Sequence, residues 1–273
     1  MNLVTPSTWN ELQDALFADT FNPRIERYKS RYAYRGVSDA GYSLDTSLSR
    51  LGSAAPSVEP HLLRQFRKYA HEHKRLENTD WYWLTVGQHY GLPTRLLDWS
   101  YSPLVALHFA TSNVAKFDRD GAVYRVNYKK AHEYLPRLIK AHIEENKTWL
   151  LTVDLLEQAV AKGLSELDDL GRKHNPPFVI FFEPPSLDAR IVNQFAYFSM
   201  LPGAALRMDD WLAAHPALWD KIIVPAKMKW EVRDKLDQSN VNERILFPGL
   251  GGLAEWLKRY YTTTGPATTS GST

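Results

Sequence analysis

The chain has 273 residues, 44% hydrophobic and 23% charged, with a formal charge of +2, the make-up of a globular protein with a full core. So small a net charge removes any global electrostatic demand for nucleic acid or an anionic membrane and leaves only a local basic groove to consider. The absence of cysteine excludes disulfides, thiolate catalysis and cysteine zinc sites, and it fits a reducing, cytoplasmic setting.

In chain order, Ser7 can cap a helix over residues 8–17 with Trp9, Leu12, Leu16 and Phe17 on its inner face. No basic-then-apolar leader opens the sequence, and no run approaches the roughly 18 apolar residues of a membrane span. Residues 32–36 read as a short aromatic strand, and 43–57 as a loop rich in Ser, Gly and Pro. The polar stretch Thr46-Ser47-Leu48-Ser49-Arg50 inside that loop has no evident use. Leu62, Leu63, Phe66, Tyr69, Ala70 and Leu76 recur at helical spacing over 58–76, and a second helix spans 80–90. Gly91 and Pro93 stop it. Residues 86–100 then read as a loop between packed helices, and Ser102-Pro103 starts a third helix reaching residue 114.

Beyond it, 121–128 alternates as a strand, and helices follow over 130–144 and 152–162. Residues 168–172 read as a charged link. The spans 178–182, 195–200 and 221–225 read as strands, with the first fully buried, and 227–238 as a helix. A last helix begins near Gly252, and the Thr/Ser/Gly-rich residues 262–273 read as a disordered tail. With no internal repeat and no clear linker, the expected class is α+β.

Several chemistries find no support. His71 and His73, two apart on a helix, face different directions and cannot share a metal. There is no His-Glu-x-x-His run, Walker loop or Gly-x-Gly-x-x-Gly, and Ser100 and Ser102 lack a nucleophile elbow. The stretch 88–98 differs, because it crowds Gln88, His89, Thr94, Arg95 and Asp98 into eleven positions. Two accounts stay open. Arg95 and Asp98 can form an internal ion pair while Gln88 and His89 cap backbone groups. Alternatively Arg35 and Arg95 present donors to a phosphate-like anion, Asp98 holds one of them, His89 bonds a ribose hydroxyl, and Tyr34 and Tyr90 stack on a flat ring. Glu183, at a strand end, is either catalytic or the point where the chain returns to water. Arg190 and Gln194 precede an apolar strand and read equally as a site or as a solvated turn.

Tyr34-Arg35-Gly36, the run from Gln88 to Trp99, and Ser102-Pro103-Leu104-Val105-Ala106-Leu107-His108-Phe109-Ala110 together resemble the FRG domain, a family named for a Phe- or Tyr-Arg-Gly motif. Arg190-Ile191-x-x-Gln194 and Leu246-Phe247-Pro248-Gly249-Leu250-Gly251-Gly252-Leu253 fit the same pattern, so the resemblance covers about residues 5–260 as one domain. A fainter resemblance is to ADP-ribosyltransferases, in which an Arg or His meets NAD, a Ser or Thr precedes an Ala-x-x-Phe-Ala helix, and a catalytic Glu or Gln follows. Here Arg35, then Thr94 or Ser100 with Ala106, Phe109 and Ala110, then Gln194, fill those places. That resemblance implies a single mixed domain whose sheet, split antiparallel or mixed, is flanked by helices.

It also implies NAD, or a related nucleotide, as substrate. Arg35 and Gln194 would be catalytic, while Tyr34, Gly36, Gln88, His89, Tyr90, Thr94, Arg95, Asp98 and Arg190 would bind ligand. The activity would be ADP-ribose transfer to a protein or nucleic-acid acceptor, or NAD hydrolysis, in a toxin or phage-defence effector. The departure is the missing Glu in the third block: a glutamine carries no charge to offset an oxocarbenium-like cation. The alternative is a non-catalytic module that binds nucleic acid or a partner protein through Arg35, Arg95 and exposed aromatics among the nine Trp.

Overall fold

A computed structural model of the protein describes residues 2–70 and 79–262. His71, His73 and residues 263–273 of the expected tail lie outside the described residues. The eight strands of the main sheet run in the order β1 (Asn2–Val4), β10 (Trp219–Val224), β6 (Gly121–Asn127), β4 (Tyr32–Val37), β5 (Leu97–Ser100), β9 (Ala196–Met200), β8 (Ile180–Glu183) and β7 (Leu151–Thr152). The sheet is mixed: the outermost pairs β1–β10 and β7–β8 are parallel and every inner pair is antiparallel. A small hairpin joins β2 (Phe21–Asn22) to β3 (Arg27–Tyr28).

Because successive strand side chains alternate between faces, each strand feeds two cores. Ala33, Leu97, Trp99, Phe181 and Tyr197 join one continuous core with Trp211 and Leu212. The other face carries two separate cores. Tyr34, Val123 and Ile222 pack against Leu12 and Leu16 of α1 (Trp9–Phe17), Leu107 of α4 (Pro103–Ala110) and Val232 of α11 (Lys229–Gln238). Ile180, Phe182 and Phe198 pack against Trp81 and Trp83 of α3 (Asp80–His89), and against Leu156 of α7 (Val153–Ala159) and Leu167 of α8 (Leu164–Lys173). The two helical layers meet over the β4–β5 seam.

That seam is where the sheet opens. β4 and β6 share six register pairs, from Tyr32 opposite Asn127 to Val37 opposite Ala122. β4 and β5 share one, Tyr34 opposite Ser100. Past it the strands diverge, and Asp98 and Trp99 lose the partners that an unbroken ladder would offer.

Several expectations change. Residues 97–100 form a strand inside the stretch read as loop, and 168–172 lie within the helix α8 rather than a link. Thr8, not Ser7, caps α1 with its hydroxyl, while the Ser7 amide and hydroxyl bond Glu11. Phe17 is exposed at 46% rather than turned inward. The third helix stops at Ala110 instead of 114, since Thr111 leaves helical geometry with φ −126°. The missed strands and helices are short, such as α9 (Ala189–Asn193) and α12 (Glu243–Leu246), too brief to show a period.

Two histidines are held neutral inside this frame. His108 accepts a hydrogen bond at Nδ1 from Arg233 (2.7 Å), and burial followed by the Arg233 charge pulls it down to about 3. His132 accepts at Nε2 from the Phe181 amide (3.0 Å), and burial pulls it down to about 4. The unfolded chain takes up both protons near 6.5 while the fold refuses them, so stability should fall as pH drops from 6.5 toward 4. Thermal melts at pH 7, 6 and 5 check this. A flat Tm across that range would refute it.

Candidate functional site

A cavity of about 240 Å³ opens at the seam, lined by residues of β4, α3, β5, α4 and α9. Of the side chains singled out in the sequence, it gathers Tyr34, Arg35, Gly36, Gln88, His89, Asp98, Arg190 and Gln194. Thr94, Arg95 and Tyr90 are not among its lining residues.

Arg35 spans the gap between the diverging strands. Its guanidinium donates to the orphaned Asp98 carbonyl at 2.5 Å, and the Asp98 carboxylate stands 3.9 Å away. The Arg35 Nε is buried and has no hydrogen-bond partner among the described residues. Burial lowers the affinity of this guanidinium for its proton, Asp98 opposes that, and the charge of Arg50 adds to it. A cation so placed gains from an incoming anion.

Asp98 is oriented by a short chain of polar groups. The buried Thr94 hydroxyl donates to Gln88 Oε1 (2.6 Å), and Gln88 Nε2 donates to the Asp98 carboxylate (2.9 Å). Thr94 is itself fixed by Ser47, whose hydroxyl accepts from the Thr94 amide at 3.0 Å, while the Leu48 amide donates to the Thr94 carbonyl. The stretch 46–50 therefore has a use: it anchors the chain entering β5.

The expected Arg95–Asp98 pair does not form. Arg95 is buried between Glu59 and Asp168, its Nε 2.9 Å from Glu59 Oε1 and its Nη1 2.6 Å from Asp168. The physical reason is that Arg95 stands at a bend ahead of β5, where Glu59 and Asp168 claim its guanidinium, while Asp98 lies within the strand and accepts from Gln88. Tyr90 sits at the rim, 57% exposed, edge-on to His89 with ring centres 4.9 Å apart. Tyr34 lines the cavity, but its hydroxyl is 3.0 Å from that of Ser30 and its ring is buried, so it forms wall rather than a stacking platform.

Gly36 has a steric role. A Cβ there would lie 1.8 Å from the Ala106 carbonyl oxygen and 2.6 Å from the Ala110 amide. The Ala-x-x-Phe-Ala pattern of α4 thus lets the helix backbone lie on β4, and it turns Phe109 into the cavity.

The far wall is α9. His89 Nε2 lies 2.9 Å from the Asp188 carboxylate at its N-cap. Gln194 and Asn193 both donate to carbonyls of α12, at Leu246 (3.0 Å) and Ile245 (2.7 Å), and Ser100 Oγ donates to the Gln194 carbonyl (2.8 Å). The Gln194 amide nitrogen is thereby committed to structure. Arg190 projects over the Phe247 ring at 5.2 Å, is exposed, and makes no ion pair among the described residues. Glu183 stands elsewhere: Ala196 and Phe198 face the cavity, whereas Tyr197 and Glu183 project from the other side of the sheet. Phe109 and Ile191, read in the sequence only as parts of motifs, also line the cavity, and the pairing of His89 with Asp188 was missed; only tertiary packing brings them together.

No helix among the described residues is long and apolar enough to cross a membrane. No curated protein and no solved structure matches the chain. The model of one family, described as the FRG domain, does match, over residues 30–119. That span contains β4 with its Tyr-Arg-Gly, α3, β5 and α4, the elements that form three sides of the cavity. The chain carries an FRG domain at residues 30–119.

Proposed function

We propose that the seam cavity binds NAD or a related nucleotide, with Arg35 and Arg190 receiving its phosphates. The observation that carries this is the pair of guanidiniums lining one hollow, one with a buried, unpartnered Nε and the other without an ion pair among the described residues. A cavity of about 240 Å³ suits one nucleoside-sized half of a dinucleotide, leaving the remainder on the open rim. In this reading the module extends over 5–260, since strands outside the matched span complete its sheet.

Transfer of ADP-ribose to a macromolecule, or hydrolysis of the nicotinamide bond, needs a negative group beside the ribose cation as nicotinamide leaves. Asp98 is the carboxylate that lines the cavity, and Gln88 and Arg35 fix its position. Gln194, its nitrogen held by Leu246, offers its carbonyl oxygen to a ribose hydroxyl. A toxin or phage-defence role is part of the same proposal.

NAD at about 100 times its Kd should raise the melting temperature by several degrees, and Arg35→Ala should abolish that rise. Asp98→Asn should keep the rise and lose nicotinamide release by about 100-fold or more. An unchanged thermal shift in Arg35→Ala removes the role given to that residue. Steeply salt-dependent retention of an oligonucleotide, without any response to NAD, would favour a nucleic-acid-binding module instead.

A further inference from the structure

The small net charge of the chain hides an uneven surface. Between Phe21 and Arg31, the hairpin of β2 and β3 and the residues leading out of it carry Arg24, Arg27, Lys29 and Arg31 against a single acid, Glu26. All four cations are exposed, and none forms an ion pair or a side-chain hydrogen bond among the described residues. Phe21 and Tyr28 are partners across the hairpin with ring centres 5.2 Å apart, and Tyr28 is 78% exposed.

The positive surface continues on the neighbouring turn. The Tyr128 amide donates to the Arg31 carbonyl (3.1 Å), which sets Lys129 beside the base of the hairpin. Burial, followed by the charges of Arg31 and Arg24, lowers the hold of Lys129 on its proton, and Glu133 offsets only part of this. Lys129 Nζ lies 3.4 Å from the centre of the Trp149 ring, and the Trp149 carbonyl is held 3.2 Å from His132 Nδ1. The Trp149 ring is still 56% exposed, in a groove of about 280 Å³ that also takes in Ile143 and Lys140. Neither hairpin nor groove shares a residue with the seam cavity.

We infer that the hairpin and the Trp149 groove form one docking surface for a single nucleic-acid strand, whose phosphates meet Arg24, Arg31 and Lys129 and whose bases stack on Tyr28 and Trp149. Cations that crowd one another without carboxylate partners gain from a chain of evenly spaced anions, and the strand gains from the counter-ions it releases. Every base has a flat face to lay on an exposed aromatic ring, so such rings beside a basic track suit a strand of any sequence. The bases of a duplex are already stacked inside it and cannot reach these rings, which selects the single strand. An anionic bilayer fits less well: Glu26 sits in the hairpin turn beside Ile25, and a flat headgroup layer does not enter the groove that holds Trp149.

The test follows the fluorescence anisotropy of labelled oligothymidylate, about 12 nucleotides long, titrated with the full chain. Saturable binding is expected at about 50 mM salt, falling as salt rises with a log–log slope of roughly −2, the sum of about −0.7 for each of three phosphates. Arg24→Glu combined with Arg31→Glu should weaken binding about tenfold or more and flatten that slope, whereas Trp149→Ala should weaken it about tenfold with the slope kept. Arg35→Ala should bind as the parent does, and NAD should not compete, so the outcome is separable from that of the nucleotide cavity. No saturable binding at low salt, full binding by the charge-reversed pair or by Trp149→Ala, or competition by NAD overturns the inference. Equal binding of a duplex of the same length, or tighter binding of phosphatidylserine vesicles, overturns the choice of a single strand.

Discussion

Alanine at position 95 should cost the fold about 3–5 kcal/mol, measured as the change in unfolding free energy in urea. Arg95 is 5% exposed, with Nε 2.9 and 3.0 Å from the two oxygens of Glu59 and Nη1 2.6 Å from Asp168. Glu59 is 2% exposed, so removing the guanidinium leaves a carboxylate sealed away from water with no cation. The cluster ties α2 (Ala55–Tyr69) and α8 to the chain entering β5, so the loss also loosens the support of Asp98. A double variant, Arg95→Met with Glu59→Gln, should recover part of the loss because no unpaired charge remains. A cost below about 1 kcal/mol would show that water reaches Glu59 readily. Since Arg95 does not line the cavity, Arg95→Ala at low temperature should still respond to NAD if the parent does.

Gly36→Ala should be the more severe change for its size. The added methyl would lie 1.8 Å from the Ala106 carbonyl oxygen and 2.6 Å from the Ala110 amide, both backbone atoms of a packed helix. Neither can move aside as a side-chain tip would, so α4 must lift from β4. We expect a destabilisation of about 3 kcal/mol or more, together with loss of the seam cavity, because Phe109 on that helix is part of its wall. Urea unfolding and a crystal structure or NMR spectrum of the variant check this. A native-like melt would mean that α4 can lift from β4 at little cost.

These two residues show how far the sequence could be read. The helices with clear apolar spacing were legible, since burial on one face writes a period into the chain, and the central strands over 32–36, 121–128, 195–200 and 221–225 were legible as short aromatic, alternating or apolar runs. β5 was not. Its four residues, Leu97–Ser100, follow a Gly, a Pro and a dense polar run, and the strand is recognisable only through its pairing with β9. Missing it hid that Asp98 lies within a strand while Arg95 stands at a bend before it, and so the partner of each was misassigned. Arg35, Gln88, His89, Asp98, Arg190 and Gln194 do meet in one cavity, a convergence from four elements that no local pattern encodes. Phe109 was noticed as part of a small-residue helix face, although its place in the cavity wall follows from Gly36 lying beneath that helix. The buried Glu59 and the half-buried Asp168 carried no signal, because an acid in an amphipathic helix or in a charged stretch reads as solvated surface.

The order of the strands has a consequence for biogenesis. Leu3 pairs with Lys221, so the opening strand waits for a partner made more than 200 residues later. β10 also has to slot between that strand and β6 before the sheet reaches full width. Such distant pairings place this chain among slow folders, whose last strand closes after synthesis has passed it. Ribosome-bound chains stopped short of Trp219 should therefore hold a protease-resistant middle while their first residues stay open to cleavage.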